Sequence, residues 1–319
     1  MQDEMDERKT IVAILCGLAV TLCLLGALPA AAQTGDTALR VMTFNVRLPV
    51  PQDGDNAWER RQAVFIETIA DAQPDIIGMQ ELYQRQADHV IEHLPDYAWF
   101  GIDRRGGHGD EHVGLFYRRD RFTLLESGDF WLSETPEVAG SITWGNLFPR
   151  LVSWGLFEDR AAGRRFHVLN THFPYRAEDG EARLNAARLI AAWIARLPAD
   201  APVVLVGDFN VTPDGPVHAL LSGGLADVRT AAPASSGPDG TFHNFTGVAD
   251  RRIDWILVRG FRPQSARTVT THRDGRYPSD HFPVLADLVF DPIPMTCAQD
   301  APSPGSERSL EDPSDCRQP

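Results

Sequence analysis

Six apolar runs in this 319-residue chain stop or start at a carboxylate, an amide or an imidazole, and no other feature limits its possible folds as strongly. Val41-Met42-Thr43-Phe44 stops at Asn45, and Ile76-Ile77-Gly78-Met79 stops at Gln80-Glu81. Val168-Leu169 runs into Asn170-Thr171-His172, and Val203 to Val206 runs into Gly207-Asp208-Phe209-Asn210. Asp254 opens a further apolar run after Ile253, and Ser279-Asp280-His281 stands before Phe282-Pro283-Val284. Short apolar runs bounded by Gly, Pro or Asp read as buried strands. A polar group at the end of such a strand is carried on a rigid support at a sheet edge. Any one of these residues, taken singly, is better read as a turn former, a helix cap or an ordinary histidine. Six of them in one chain argue for a constructed site.

Strand-like runs cover Leu39-Val46, Asp75-Gln80, His112-Tyr117, Leu151-Phe157, Phe166-Asn170, Val203-Val206, Ile253-Val258 and Phe282-Phe290. Helical patterns lie between some of them. Asn56 with Glu59 forms a capping-box pattern ahead of Val64, Ile66, Ile69 and Ala70. A second helix is expected over about Glu181 to Leu197, with Leu184, Ala187, Ala191 and Ile194 at helical spacing. A short third one starts near Pro213-Asp214 and includes Val217, Leu220 and Leu221. Many strands with few helices predict an α/β fold of sheets packed face to face with helices outside. No G-x-G-x-x-G, no G-x-x-x-x-G-K-[ST] and no G-x-S-x-G occurs, which removes the dinucleotide, P-loop and serine-hydrolase readings.

The ends of the chain read differently from its middle. Arg8-Lys9, an apolar run from Ile11 to Leu28 and the A-x-A sequence Ala30-Ala31-Ala32 predict a cleaved export signal over residues 1–32. The expected location is periplasmic or secreted, with no membrane anchor once the signal is removed. Cys16 and Cys23 would leave with it, and only Cys297 and Cys316 would remain, which suits an oxidising compartment. Residues 33–290 are expected to form the domain, as a monomer, and 291–319 a flexible acidic, Pro-rich tail.

Charge narrows the partners. The formal net charge of -14 argues against a broad basic surface for long nucleic acids, without excluding a local phosphate site. Lys9 is the only lysine, so a protein cation that grips phosphate beyond it is arginine or histidine. The strand-end donors are mostly oxygens, with no cysteine among them, and suit Mg2+ or Mn2+; His172 and His281 leave zinc open.

The motifs TFNV (43–46), DIIGMQE (75–81), GLFYR (114–118), NTHF (170–173), GDFN (207–210), RIDWIL (252–257) and SDHFPV (279–284) resemble, in order, those of the endonuclease/exonuclease/phosphatase superfamily. The resemblance covers nearly all of residues 39–290 and implies a four-layer sandwich, two central mixed β-sheets flanked by helices. It implies Glu81 as the main metal ligand, with Asn45 and Asp280. It implies Asp208 as the group that orients or deprotonates water, with Asn210 beside it, His281 on the phosphate and Asp254 paired with His281. His172 and Asn170 resemble phosphate or leaving-group contacts, and Tyr117 fills an aromatic slot near the site.

From these readings follows a divalent-metal-dependent phosphoesterase, acting on a phosphodiester or phosphomonoester by in-line attack of water. Arg150 and Trp144, in a stretch with Trp131 and Phe148, are the expected substrate contacts. A secreted nuclease for DNA or RNA stands as the alternative, and a catalytically silent binding protein on the same fold as the rival from another class. The silent reading would expect loss of Glu81, Asp208, Asp254 or His281, all of which are present.

Overall fold

The structure is a computed structural model that describes residues 38–292. The expected export signal and the cysteine-bearing tail lie outside the described residues.

The central strands are short, continuous apolar runs buried on both faces. β1 (Leu39–Asn45), β2 (Ile76–Leu82), β3 (Tyr97–Phe100), β4 (His112–Arg118), β5 (Phe122–Trp131), β6 (Leu151–Asp159) and β7 (Arg164–His172) come first. They are followed by β8 (Val203–Asp208), β9 (Ala226–Asp227), β10 (Ala234–Ser236), β11 (Asp254–Arg259), β12 (Phe261–Thr268) and β13 (Val284–Phe290). Seven pair in the order β10-β12-β13-β1-β2-β4-β3 and six in the order β5-β6-β7-β8-β11-β9. Both sheets are mixed: β1–β2 and β7–β8 are parallel, whereas β1–β13 and β8–β11 are antiparallel.

The two sheets bury their facing sides against each other through Val41, Ile76 and Leu288 from one and Phe166, Val206 and Ile256 from the other. Their outer sides are covered by helices. α1 (Trp58–Ala72) and α2 (Gln84–His93) lie over Met42, Phe44 and Ile77. α3 (Gly180–Ile194) and α4 (Pro216–Ser222) lie over Leu169, Leu205 and Trp255. A fifth helix, α5 (Val228–Ala231), is a single turn. This is the expected four-layer α/β sandwich. The sheets approach closely at Gly78, where a Cβ would stand 2.3 Å from Val206 Cγ2 and 2.9 Å from Asn170 Oδ1, so only glycine fits. Among the described residues no helix is long and apolar enough to cross a membrane.

One local expectation fails. The Asn56 capping box does not form: α1 starts at Trp58 after Ala57, with no side-chain cap. Asn56 instead ends a 3-10 turn, and its carbonyl accepts a hydrogen bond from the buried Arg61.

Candidate active site

The alternation of each central strand explains where the site lies. Val204 and Val206 face the space between the sheets, and two residues on, the same phase brings in Asp208. Val168, Asn170 and His172 share one phase of β7, Val41, Thr43 and Asn45 one phase of β1, and Val258, Ile256 and Asp254 one phase of β11. The inter-sheet layer therefore turns from apolar to polar at one end of the sandwich. Register completes the row: His172 pairs with Asp208 across β7–β8, and Asp208 with Asp254 across β8–β11.

Glu81 reaches the same place by another device. The β2–β4 ladder slips between Met79 and Leu82, so two residues, Gln80 and Glu81, face one on the partner strand. Glu81 has φ 56° in this bulge, a left-handed conformation unfavourable for a residue with a Cβ. Arg47 (φ 56°) and Asn210 (φ 51°), also at the cleft, share this conformation. Arg61 holds the surrounding chain. Its guanidinium is fully buried and donates to the carbonyls of Val46, Arg47 and Pro278, joining the end of β1 to the segment that precedes His281.

The groups converge at hydrogen-bond range. Asn45 Nδ2 donates to Asp208 Oδ2 (2.9 Å) and Glu81 Oε1 (3.2 Å). Glu81 Oε2 accepts from the Leu48 N–H (3.0 Å), and Asp208 Oδ1 from the Asn210 N–H (2.9 Å). His281 Nδ1 lies 2.9 Å from Asp254 Oδ2, while its Nε2 faces Asp208 Oδ2 at 3.9 Å. His172 Nε2 is 3.4 Å from that same oxygen. Ser279 Oγ donates to the Asn45 carbonyl and accepts from the His281 N–H, fixing the turn that carries Asp280.

Electrostatics divide the labour. Burial opposes a charge on His281, but Asp254, then Asp208 and Asp280, outweigh it and push the imidazole up to about 10, so it is an imidazolium at neutral pH. Burial, joined by Arg150, His281 and Arg104, holds His172 well below the ordinary histidine value, so it stays neutral. Burial and the charge of Asp254 push Asp208 up to about 7, the range of a general base poised near neutrality. Asp280 is also raised, by burial above all.

Glu81, His172, Asp208, Asp280 and His281 floor a cleft of about 570 Å³. Its opposite wall comes from loops: Tyr83, Arg104, Glu111, Phe148, Arg150 and Tyr175. Arg104 bonds to Asp110 (2.9 Å) and Glu111 (2.8 Å) and lies over the Phe148 ring at 4.3 Å. Arg150 is 5% exposed, and its ion pair with Glu111 is long, at 3.9 Å. Burial and Glu81 push Glu111 up to about 7, against the pull of Arg150 and Arg104.

Of the residues singled out in the sequence, the fold brings together Asn45, Glu81, His172, Asp208, Asn210, Asp254, Asp280, His281 and Arg150. Three are placed elsewhere. Tyr117 pairs with Ile76, at the end of β2 remote from Glu81, and its ring packs 5.2 Å from Phe157 in the inter-sheet core. Asn170 lies one step deeper than His172, fully buried. It bonds to the Met79 and Gly114 carbonyls and accepts from Gln80 Nε2, as a brace between the sheets. Trp144 packs on the outer cluster around Phe130 and Leu132 and does not line the cleft. Conversely, Tyr83, Arg104, Glu111 and Arg47 line the cleft without having been singled out. Arg47 and Tyr83 closely follow TFNV and DIIGMQE and were within reach; Arg104 and Glu111 lie in a Gly-rich loop that carries no periodic signal.

The donor set suits a hard divalent cation. Glu81, Asp208 and Asp280 crowd one end of the cleft, with Asp254 buried behind His281. Asp208 and Asp280 are raised by burial, and the buried Asp254 Oδ1 has no hydrogen-bond partner. Asp208, Asp254 and His281 can each point one donor atom at a common ion, all within 4.8 Å of one another. His281 Nδ1 is engaged by Asp254, so the oxygens are the better ligands.

A paired imidazolium and a near-neutral carboxylate beside an acidic, cation-seeking cleft, at the open end of a two-sheet sandwich, define a metal-assisted hydrolase of phosphate esters. The comparisons agree. The chain belongs to the Endonuclease/Exonuclease/phosphatase family, whose model matches residues 42–281. A family protein of Bacteroides thetaiotaomicron has 34% identity and a TM-score of 0.75, covering 80% of this chain and 98% of its own. The mannosyl-6-phosphatase Bt3783 of the same species has 33% identity and a TM-score of 0.74, covering 79% and 100%. Nocturnin of Drosophila melanogaster is 25% identical over 289 residues, 75% of this chain but 43% of its own length. The chain thus spans less than half of that relative. Its solved neighbours in this family include a phosphatase, and the Asp208, Asp254 and His281 cluster is one that could hold a metal ion.

Proposed function

We propose that this chain is an exported, Mg2+- or Mn2+-dependent phosphomonoesterase acting on a small phosphorylated molecule of the sugar-phosphate kind. The observation that carries the reading is the juxtaposition, in one cleft of about 570 Å³, of Asp208, the Asp254-backed His281 and the buried Arg150. A cleft of that size suits a small ligand. Arg150 offers a buried guanidinium for phosphate. The net charge of -14 disfavours long nucleic acids. The 33% identity to the mannosyl-6-phosphatase, across all of that chain, points the same way.

Glu81 and Asp280 would hold the metal, which neutralises charge on the phosphoryl oxygens when bound. Asn45, whose Nδ2 faces Glu81 and Asp208 and whose Oδ1 accepts from the Arg47 N–H, braces these carboxylates instead of ligating. Asp208, raised to about 7, aligns a water and draws off its proton as it attacks phosphorus in line with the ester oxygen; the ester P–O bond breaks and the departing oxygen takes a proton from solvent. The His281 imidazolium, oriented by Asp254, donates to a phosphoryl oxygen as charge develops there. Neutral His172 and the Asn210 side chain, the latter anchored on the Phe173 carbonyl, hold the phosphoryl group from the far side. Export rests on the leader-like residues 1–32.

The test is hydrolysis of hexose 6-phosphates, p-nitrophenyl phosphate, bis-p-nitrophenyl phosphate and RNA with Mg2+, Mn2+ or EDTA, beside Asp208→Ala. Metal-dependent release from monoesters that Asp208→Ala abolishes supports the proposal. Preference for the diester or RNA would replace it with the nuclease reading, and a folded protein inert on all of them would make this a binding protein. Periplasmic fractionation of the full-length chain tests export.

A further inference from the structure

Away from the cleft, α2 carries a second convergence of ligand-type side chains. His89, Glu92 and His93 stand at i, i+3 and i+4, the spacing that places side chains on one helix face. One donor atom from each lies within 4.8 Å of the other two. The two imidazoles have centroids 4.1 Å apart. His93 Nδ1 lies 2.9 Å from the His89 carbonyl, so Nδ1 carries the proton and the Nε2 lone pair is left for a ligand. A backbone acceptor fixing the far nitrogen is the usual support of a metal-bound histidine. His89 is itself oriented by an edge-on contact with Trp58, centroids 5.5 Å apart. Glu92 and His93 are exposed, so an ion reaches the group without rearrangement.

We propose that His89, Glu92 and His93 form a second metal site, one for Zn2+. Two imidazoles and one carboxylate match a zinc site with three protein ligands and water in the fourth position. Magnesium prefers oxygen ligands and would not compete well here. The site is distinct from the cleft: α2 begins after Tyr83, which lines the cleft, and His93 is ten residues further on, roughly 15 Å at 1.5 Å per residue. A histidine in a last helical turn also favours the helix dipole. That accounts for His93 alone, not for three donors meeting. The inference does not rest on the phosphatase reading.

The experiment is calorimetric titration of the full chain with Zn2+, its thiols blocked and Mg2+ in excess, for the wild type, His93→Ala, His89→Gln with His93→Ala, and Glu81→Gln. Both histidine variants should lose at least about tenfold in zinc affinity, while Glu81→Gln binds zinc as the wild type does. The wild-type Tm should rise by a few degrees with zinc, and that of His93→Ala should not. Hydrolysis of p-nitrophenyl phosphate with Mg2+ should be the same in His93→Ala as in the wild type. Superimposable zinc isotherms for the wild type and His93→Ala, or zinc binding lost only in Glu81→Gln, would overturn the proposal.

Discussion

Replacing Asp254 by Asn tests the electrostatic core of the site. The change preserves size and removes the charge 2.9 Å from His281 Nδ1. In the intact protein His281 is pushed from 6.5 up to about 10, although burial works against its charge. At about 1.36 kcal/mol per pKa unit, that difference is worth roughly 5 kcal/mol in favour of the imidazolium. The folded value lies above the unfolded one. The contribution is therefore fully present below pH 6.5 and is lost as pH rises through about 10. With Asp254→Asn, Asp208 and Asp280 still attract the proton, but burial opposes them and the hydrogen-bonded carboxylate is gone. The His281 pKa should fall below about 8. An amide can also offer an N–H to Nδ1, which permits the unproductive tautomer.

Three measurements follow for Asp254→Asn. Long-range nitrogen–proton NMR of metal-free protein titrates the imidazole directly. Urea unfolding between pH 6.5 and 10 should show a steep loss of stability in the wild type and a flatter profile in the variant. With Mg2+, kcat on p-nitrophenyl phosphate should fall by about 10² to 10⁴, the scale of one acid–base group, with KM little changed. A variant whose His281 still titrates near 10, or whose kcat is within about threefold of the wild type, would refute the reasoning.

Asn170→Ala removes the brace between the sheets and leaves the Met79 and Gly114 carbonyls short of a donor; it should cost about 2–4 kcal/mol by urea unfolding. A loss under about 1 kcal/mol would refute its role as a brace. Mn2+ should raise Tm more at pH 8 than at pH 5, because Asp208 and Glu111, both pushed up to about 7, are carboxylates only at the higher pH; scanning fluorimetry with EDTA controls reads this. Glu111→Gln should lower KM for bis-p-nitrophenyl phosphate at pH 8, where the ionised Glu111 otherwise competes for Arg150, and leave KM at pH 5 unchanged. Equal KM ratios at both pH values would rule that competition out.

What was legible in the sequence follows from strand periodicity. In β8 the phase that buries Val204 and Val206 brings Asp208 into the layer between the sheets, and a reader with no structure can count it. The same counting serves Asn45, His172 and Asp254. It fails where position depends on a partner. Tyr117 shares a strand with Gly114, but β4 runs antiparallel to β2, so its C-terminal end points away from Glu81. Asn170 has the right phase and the wrong depth, a difference of two residues that only the register with β8 settles. β5 and β12 escaped notice because they mix exposed polar residues with a few buried ones, as strands at or near a sheet edge do. Asn56 and Glu59 carry the spacing of a capping box, but Arg61 claims the Asn56 carbonyl and the chain enters the helix through a 3-10 turn instead.

The two walls of the cleft thus answer to different constraints. The strand-end wall is a by-product of the sheets: moving Asp208 or Asp254 by one residue would turn a core strand inside out, since every side chain would change faces. Its chemistry is therefore tied to the fold. The loop wall has no such tie. Arg104 and Glu111 sit in a segment whose shape is set locally by Asp103, which accepts from the N–H groups of Arg105, Gly107, Gly109 and Asp110. Phe148 and Arg150 come from another loop, and Phe242 from a third across the cleft. Residues there can change without cost to the core, so on the proposed reading the part of the substrate beyond the phosphate would be read by the wall that strand periodicity leaves undetermined. Phosphate chemistry can be argued from the strands alone, whereas the identity of the leaving group has to be found by exchanging residues 103–111 and 144–150 and following KM across a panel of esters.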